Sequence, residues 1–305
     1  MHPEPWPSGS SFFDKDAKGD VSLKIGEADT VFTAQSAVFG THIEVLEIDE
    51  LARLRREVSD SEILACLAKI KSDFDVQADC DEEELTRAAK TAVALRKLVE
   101  LKRIGSLAYY YESVPGHEYE NIITSVIVGC SMLTAEGIPV AGEYEIKNAQ
   151  AMKIMDSFGS GGSFTEYYAM DFKADVVLMG HDGPGHTKIA EGRTKIRPLQ
   201  VFHGKVGSGV SVEMSVKHGP VTLLSVVEIA GTLKLLCAEG FSVEGPILEI
   251  GNTNSRYQFS IGARAFTENW NAQGPAHHCA VGVGHIGGKI EKLAELLDIP
   301  FVKVC

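Results

Sequence analysis

Apolar positions recur at helical spacing over residues 82–102. Leu85, Ala89, Ala92, Leu95 and Val99 fall roughly on one face, and Gly105 follows as a stop. This predicts a helix over Glu82–Lys102, preceded by a pair of shorter helices between Leu51 and Lys71. Beyond it, short apolar runs alternate with amphipathic ones. Ser106–Tyr110 and Ile138–Ala141 suit buried strands, while Asn121–Glu136, ending at Gly137, and Glu145–Ser157 suit helices. Helix and strand alternating at this interval predict a parallel α/β sheet.

The period changes after Gly159-Ser160-Gly161-Gly162. Val210–Val216 alternates apolar and polar residues. Val221–Ile229, Leu233–Cys237 and Tyr257–Ile261 follow at short intervals, with Gly or Pro between them. Regular short strands with such turns predict an antiparallel barrel or sandwich. A late helix over Lys289–Leu297 and a last strand over Phe301–Val304 close the chain. The expected fold class is α/β plus mostly antiparallel β. A tail or linker occupies 1–20, a parallel α/β domain 21–160, and a C-terminal β-barrel-like domain with a late helix 161–305.

Composition narrows the function. The 305 residues suffice for two domains and a sizeable core. A formal net charge of −13 repels nucleic acid and anionic membrane, and Arg55-Arg56-Glu57 and Lys102-Arg103 are too short to form a basic patch. Neither kind of partner is expected. The cysteines, at 66, 80, 130, 237, 279 and 305, include no CxxC pair and do not form a disulfide framework. Met1-His2-Pro3-Glu4 lacks the basic start and apolar stretch of a signal peptide. A cytoplasmic location is expected.

Four segments carry candidate chemistry, each with a plainer reading beside it. Glu143, in Ala141-Gly142-Glu143-Tyr144-Glu145, sits just past a predicted parallel strand, where α/β sheets place their sites. It also suits a helix N-terminus, where carboxylates favour the dipole. Ser163-Phe164-Thr165-Glu166 has the spacing of a capping box. The glycines before it also suit a phosphate loop, although no Gly-Lys-Ser/Thr follows. His181, at the end of the strand-like Val176–Met179 and before Asp182-Gly183-Pro184-Gly185-His186, is either a metal ligand or a turn histidine. His277 and His278, after Gly274-Pro275-Ala276, are either loop histidines or an extended pair in which one ring ligates and the other faces elsewhere. Two carboxylates and two imidazoles without thiolate suit Mn²⁺ or a related divalent ion.

Taken in order, these segments resemble the central and C-terminal domains of the L-arabinose isomerases and their fucose isomerase relatives, over Ile122–Ile299. Ala-Gly-Glu at 141–143 and Gly-Gly-Ser-Phe-Thr-Glu at 161–166 look like that family's two metal glutamates. Gly180-His181 and Ala276-His277-His278 look like its two histidine ligands, and Tyr111-Glu112 is similar to an aromatic–Glu pair whose ring lines the sugar pocket. The resemblance implies an aldose–ketose isomerase. Mn²⁺ would be held by Glu143, Glu166, His181 and His278, with the two glutamates moving protons through an enediol and His277 touching substrate. It further implies a small sugar as substrate, a homo-oligomer, and the loss of an N-terminal α/β domain usual in the family. The alternative it leaves is a non-catalytic metal- or sugar-binding remnant, or a subunit needing that domain from a separate chain.

Overall fold

The computed structural model of the chain describes residues 13–15, 21–23, 27–110, 116–199, 201–202, 205–248, 250 and 252–305. The tail expected over 1–20 lies outside these, apart from residues 13–15.

A short ribbon of β1 (Phe13–Lys15) and β2 (Val21–Leu23) precedes α1 (Glu27–Phe39). The expected pair of helices is α2 (Ile48–Arg56) and α3 (Asp60–Asp73). A capping box starts α3: Ser59 Oγ accepts from the Glu62 N–H, and the Glu62 carboxylate accepts from the Ser59 N–H. After β3 (Asp75–Val76) comes α4 (Glu82–Lys102), with the bounds its periodicity predicts. The Asp81 carboxylate accepts from the Glu83 N–H, and three glutamates in the first turn oppose the positive end of the dipole. Its predicted face is buried throughout.

The remaining elements of this half are β4 (Leu107–Ala108), α5 (Glu118–Ile123), α6 (Ile127–Ala135), β5 (Val140–Ala141) and α7 (Ile146–Ser157). The single helix expected over Asn121–Glu136 is instead two. The Thr124 and Ser125 hydroxyls bond back to the carbonyls of Glu120 and Asn121, ending α5, and α6 starts afresh. Every residue of α6 is buried. It crosses α4 so closely that a Cβ on Gly129 would lie 2.8 Å from the Ala92 Cα. Parallel pairing joins β4 to β5, Leu107 opposite Val140 and Ala108 opposite Ala141.

The second half opens with the hairpin of β6 (Ser163–Asp171) and β7 (Val176–His181). The capping-box reading of Ser163–Glu166 is thereby overturned. Ser163, Phe164 and Thr165 are all buried in a strand paired on both sides, and burial against two neighbours outweighs a local helix-start pattern. Ser163 Oγ accepts from the His186 N–H instead.

The chain then returns to the helical half. β8 (Lys195–Pro198), a small ribbon of β9 (Val201–Phe202) and β10 (Lys205–Val206), and β11 (Val210–Glu213) follow in turn. β8 pairs antiparallel with β11 and parallel with β3. Ile196, Leu199, Val210 and Val212 share a core with Leu67, Leu95 and Leu133. The Arg193 guanidinium fastens the crossing, donating to the carbonyls of Ser72 and Phe74 at 2.6 and 2.7 Å.

The remaining strands are β12 (Gly219–Ile229), β13 (Thr232–Val243), β14 (Thr253–Phe259), β15 (His278–Val283) and β16 (Phe301–Lys303), with α8 (Ala263–Asn271) and α9 (Gly287–Leu297) between them. A seven-stranded sheet runs β12–β15–β6–β7–β14–β13–β16, antiparallel except for β13 with β16. β12 pairs with β13 as well as with β15. Ile229 lies opposite Thr232, so Ala230-Gly231 is a two-residue turn with φ of 51° and 81°. The architecture is mixed α/β with one large, mostly antiparallel sheet. α8, which is not among the expected elements, buries Ala263, Phe266 and Trp270 on one face.

Candidate metal centre

Three strand ends and one tight loop meet at the candidate residues. Antiparallel register sets Glu166 of β6 directly opposite His278 of β15 on one side and Gly180 of β7 on the other. His181 ends β7 opposite Thr253 of β14. A Cβ on Gly180 would fall 2.0 Å from the Thr253 carbonyl oxygen, so only glycine lets these strands pair beside His181. His278 is buried, whereas His277, one residue earlier, has a side chain 63% exposed. Adjacent residues at a strand start diverge in this way.

Glu143 arrives from the loop between β5 and α7. Glu143 and Tyr144 both adopt left-handed backbone, with φ of 54° and 55°. Such positions cost non-glycine residues about 1–3 kcal/mol each. The Tyr144 N–H donates to the Tyr109 carbonyl at 3.1 Å, and its ring stacks on Tyr110 with centroids 5.1 Å apart. A Cβ on Gly142 would stand 3.3 Å from Phe164 and 3.4 Å from His181, so glycine lets the loop settle onto both rings. Buried Phe164 packs edge-on to His181 at 4.4 Å and tilted to His278 at 4.5 Å, fixing both imidazoles.

Glu143 Oε1 lies 3.6 Å from His181 Nε2 and 3.7 Å from His278 Nε2. His277 Nε2 lies 4.0 Å from Glu143 Oε2 and 3.8 Å from Glu166 Oε2. One donor atom each from Glu143, His181 and His278 falls within 4.8 Å of the others, as does one each from Glu166, His277 and His278. All five predicted residues from Glu143 to His278 are thus neighbours, with His278 common to both groups. Tyr111 and Glu112 lie outside the described residues.

Burial pushes the Glu166 carboxyl up to about 7; His278 opposes the rise, and Glu143 and Asp182 add to it. Burial lowers His181, against the pull of Glu143. Burial also lowers His277, and the neighbouring His278 adds to this.

Neither ring nitrogen of His181, nor Nε2 of His278, has a hydrogen-bond partner among the described residues. Buried polar atoms without partners are uncommon and call for a ligand or water. The donor set fits a divalent cation. It is oxygen and nitrogen without thiolate, and atoms 3.6–3.7 Å apart need only small adjustment to bind one ion at about 2.0–2.2 Å. Two neighbouring carboxylates escaped the sequence reading of the site. Glu145 Oε1 lies 3.5 Å from His278 Nδ1, and Asp182 Oδ1 lies 3.9 Å from His181 Nδ1. Both sit within two residues of a candidate ligand, the one signal that would have found them. A cavity of about 270 Å³ between Arg193, Met214 and Arg256 includes none of these residues in its lining.

The family model of the L-arabinose isomerase central domain matches residues 20–161, and that of the L-arabinose isomerase C-terminal domain matches residues 161–300. An L-arabinose isomerase from Phocaeicola vulgatus is 21% identical over 306 aligned positions, which cover 87% of this chain. The chain spans about half the length of that relative, the alignment covering 55% of it. Through its central and C-terminal domains, the chain belongs to the L-arabinose isomerase family.

Proposed function

We propose that this chain is an aldose–ketose isomerase acting on a small open-chain sugar, with its chemistry at the cluster of Glu143, Glu166, His181 and His278. The observation that carries the reading is the convergence of two buried, unpartnered imidazole nitrogens on one carboxylate oxygen, beside a second carboxyl held near 7. The four residues would hold Mn²⁺ or another divalent cation, which when bound supplies Lewis-acid polarisation of the sugar carbonyl.

Glu143 and Glu166 are the proton carriers. One takes the proton from C2 and the other delivers a proton to C1, while the hydroxyl proton of O2 passes to O1 through the enediol, and the two carboxyls then regain their starting protonation by exchange with water. His277 reaches both carboxylates from the exposed side and contacts substrate hydroxyls. The same reading takes residues 21–160 and 161–305 as two domains, the second lending β8 and β11 to the core of the first, and treats the C-terminal sheet as barrel-like, supported by the double pairing of β12. It makes the protein a cytoplasmic homo-oligomer. No helix among the described residues is long and apolar enough to cross a membrane.

The exposure of His277 favours one second reading, a metal- and sugar-binding subunit that needs a further domain to enclose its substrate. One experiment separates the two. The pure protein, loaded with Mn²⁺, is assayed against aldopentoses and 6-deoxyhexoses while Mn²⁺ binding is followed by calorimetry. Turnover supports the isomerase. Binding without turnover leaves the subunit reading, and no binding removes both.

A further inference from the structure

The loop that carries Glu143 carries a second carboxylate to the same imidazole. Glu143 Oε1 faces His278 Nε2 at 3.7 Å, and Glu145 Oε1 faces His278 Nδ1 at 3.5 Å. Two residues apart in sequence, they bracket opposite edges of one ring. The two left-handed residues, Glu143 and Tyr144, fold the chain back between them.

Glu145 also occupies the N-cap of α7, a position that favours Ser, Thr, Asp or Asn. Its side chain makes no capping bond. A capping bond therefore does not account for the position of its carboxylate, which turns to His278 instead.

A carboxylate only accepts hydrogen bonds. Of the two ring nitrogens only Nδ1 is within hydrogen-bond distance of its carboxylate, and Nε2 has no hydrogen-bond partner among the described residues, so the contact with Glu145 favours the proton on Nδ1 and leaves the Nε2 lone pair on the side of Glu143. His181 is held more loosely: its Nδ1 is 3.9 Å from Asp182 Oδ1, beyond hydrogen-bond distance, while its Nε2 is 3.6 Å from the same Glu143 Oε1. Ligating histidines are commonly oriented by a carboxylate on the far nitrogen.

We propose that Glu145 is a positioning residue, which fixes the ring and tautomer of His278 so that Nε2 is presented to a divalent cation shared with Glu143. The proposal rests on the metal reading above, and its test separates the two. Glu145→Gln keeps the shape but offers both a donor and an acceptor to Nδ1, so the preference for one tautomer falls. Glu145→Asp keeps the carboxylate.

The measurements are the ¹⁵N shifts of His278 in the metal-free chain and Mn²⁺ affinity by calorimetry. Thermal unfolding serves as a control for folding. The parent and Glu145→Asp should show the Nδ1–H form, and Glu145→Gln a mixture. Glu145→Gln should bind Mn²⁺ about 10–100-fold more weakly, with its metal-free unfolding midpoint within about 2 °C of the parent. An unchanged tautomer in Glu145→Gln overturns the proposal, as does unchanged affinity in a parent that binds Mn²⁺. If the parent binds no Mn²⁺, the metal reading falls, and the tautomer of the variant still decides the role of Glu145.

Discussion

Glu166→Gln should make the metal-free chain more stable and abolish the proposed isomerase activity. Glutamine keeps the volume of the side chain and its place on β6 opposite His278, removes the charge, and turns one acceptor oxygen into a donor. Burial holds the Glu166 carboxyl at about 7, against an ordinary 4.5. The folded chain therefore binds this proton more tightly than the unfolded chain. The stability it contributes is fully present below about pH 4.5 and is lost as pH rises through about 7. At pH 8 the ionised carboxylate costs the fold at most about 3 kcal/mol, from about 1.4 kcal/mol per pH unit of displacement. The side chain is 23% exposed, and water relieves part of that cost. A gain of about 1–2 kcal/mol is expected for the variant at pH 8, shrinking toward pH 5. Urea unfolding of metal-free parent and variant at both pH values measures it. Turnover with Mn²⁺ should fall about 10²–10⁴-fold. A stability difference that does not widen from pH 5 to pH 8 would refute the burial argument. Activity within tenfold of the parent would remove Glu166 from the proton pair.

Phe164→Ala should cost about 3–5 kcal/mol in urea unfolding, because the ring is buried between His181 and His278; Mn²⁺ affinity should fall with it. Gly180→Ala drives a Cβ into the Thr253 carbonyl, so a loss of about 3 kcal/mol or more is expected, and a change under about 1 kcal/mol would contradict the close β7–β14 pairing. Ala230→Asn should stabilise by about 0.5–1 kcal/mol in the same assay, because Asn-Gly prefers the two left-handed conformations that the β12–β13 turn adopts. A destabilised Ala230→Asn protein would argue against that turn.

Where local pattern and tertiary demand agree, the sequence is readable. Glu82–Lys102 repeats at helical spacing, carries its own cap, and forms one helix with those bounds. Ser163–Glu166 shows the opposite case. Its spacing is that of a helix start, but pairing with β15 and β7 makes it a strand, and neither partner is visible from its neighbours. α8 escaped notice because its buried Phe266 and Trp270 stand in an otherwise polar stretch. The site followed the same division. Each of Glu143, Glu166, His181 and His278 was a recognisable candidate. The meeting of Glu166 with His278 depends on antiparallel register between segments more than a hundred residues apart, and the approach of Glu143 on a loop from the other half, neither of which a local pattern encodes. Glu145 escaped for a related reason: its purpose appears only when His278 arrives beside it.

The return of β8 and β11 to the helical half matters for anyone who would divide this protein. The family models meet at residue 161, yet a cut there would take Ile196, Leu199, Val210 and Val212 out of the core that α4 and α6 help build. The first piece would expose that apolar surface and the open edge of β3, and would lose Arg193 from the carbonyls that end α3. The seam in the sequence is therefore not a seam in the fold. Grafting either half onto another scaffold, or recombining it with a relative, would have to carry residues 193–213 along with the helices they complete.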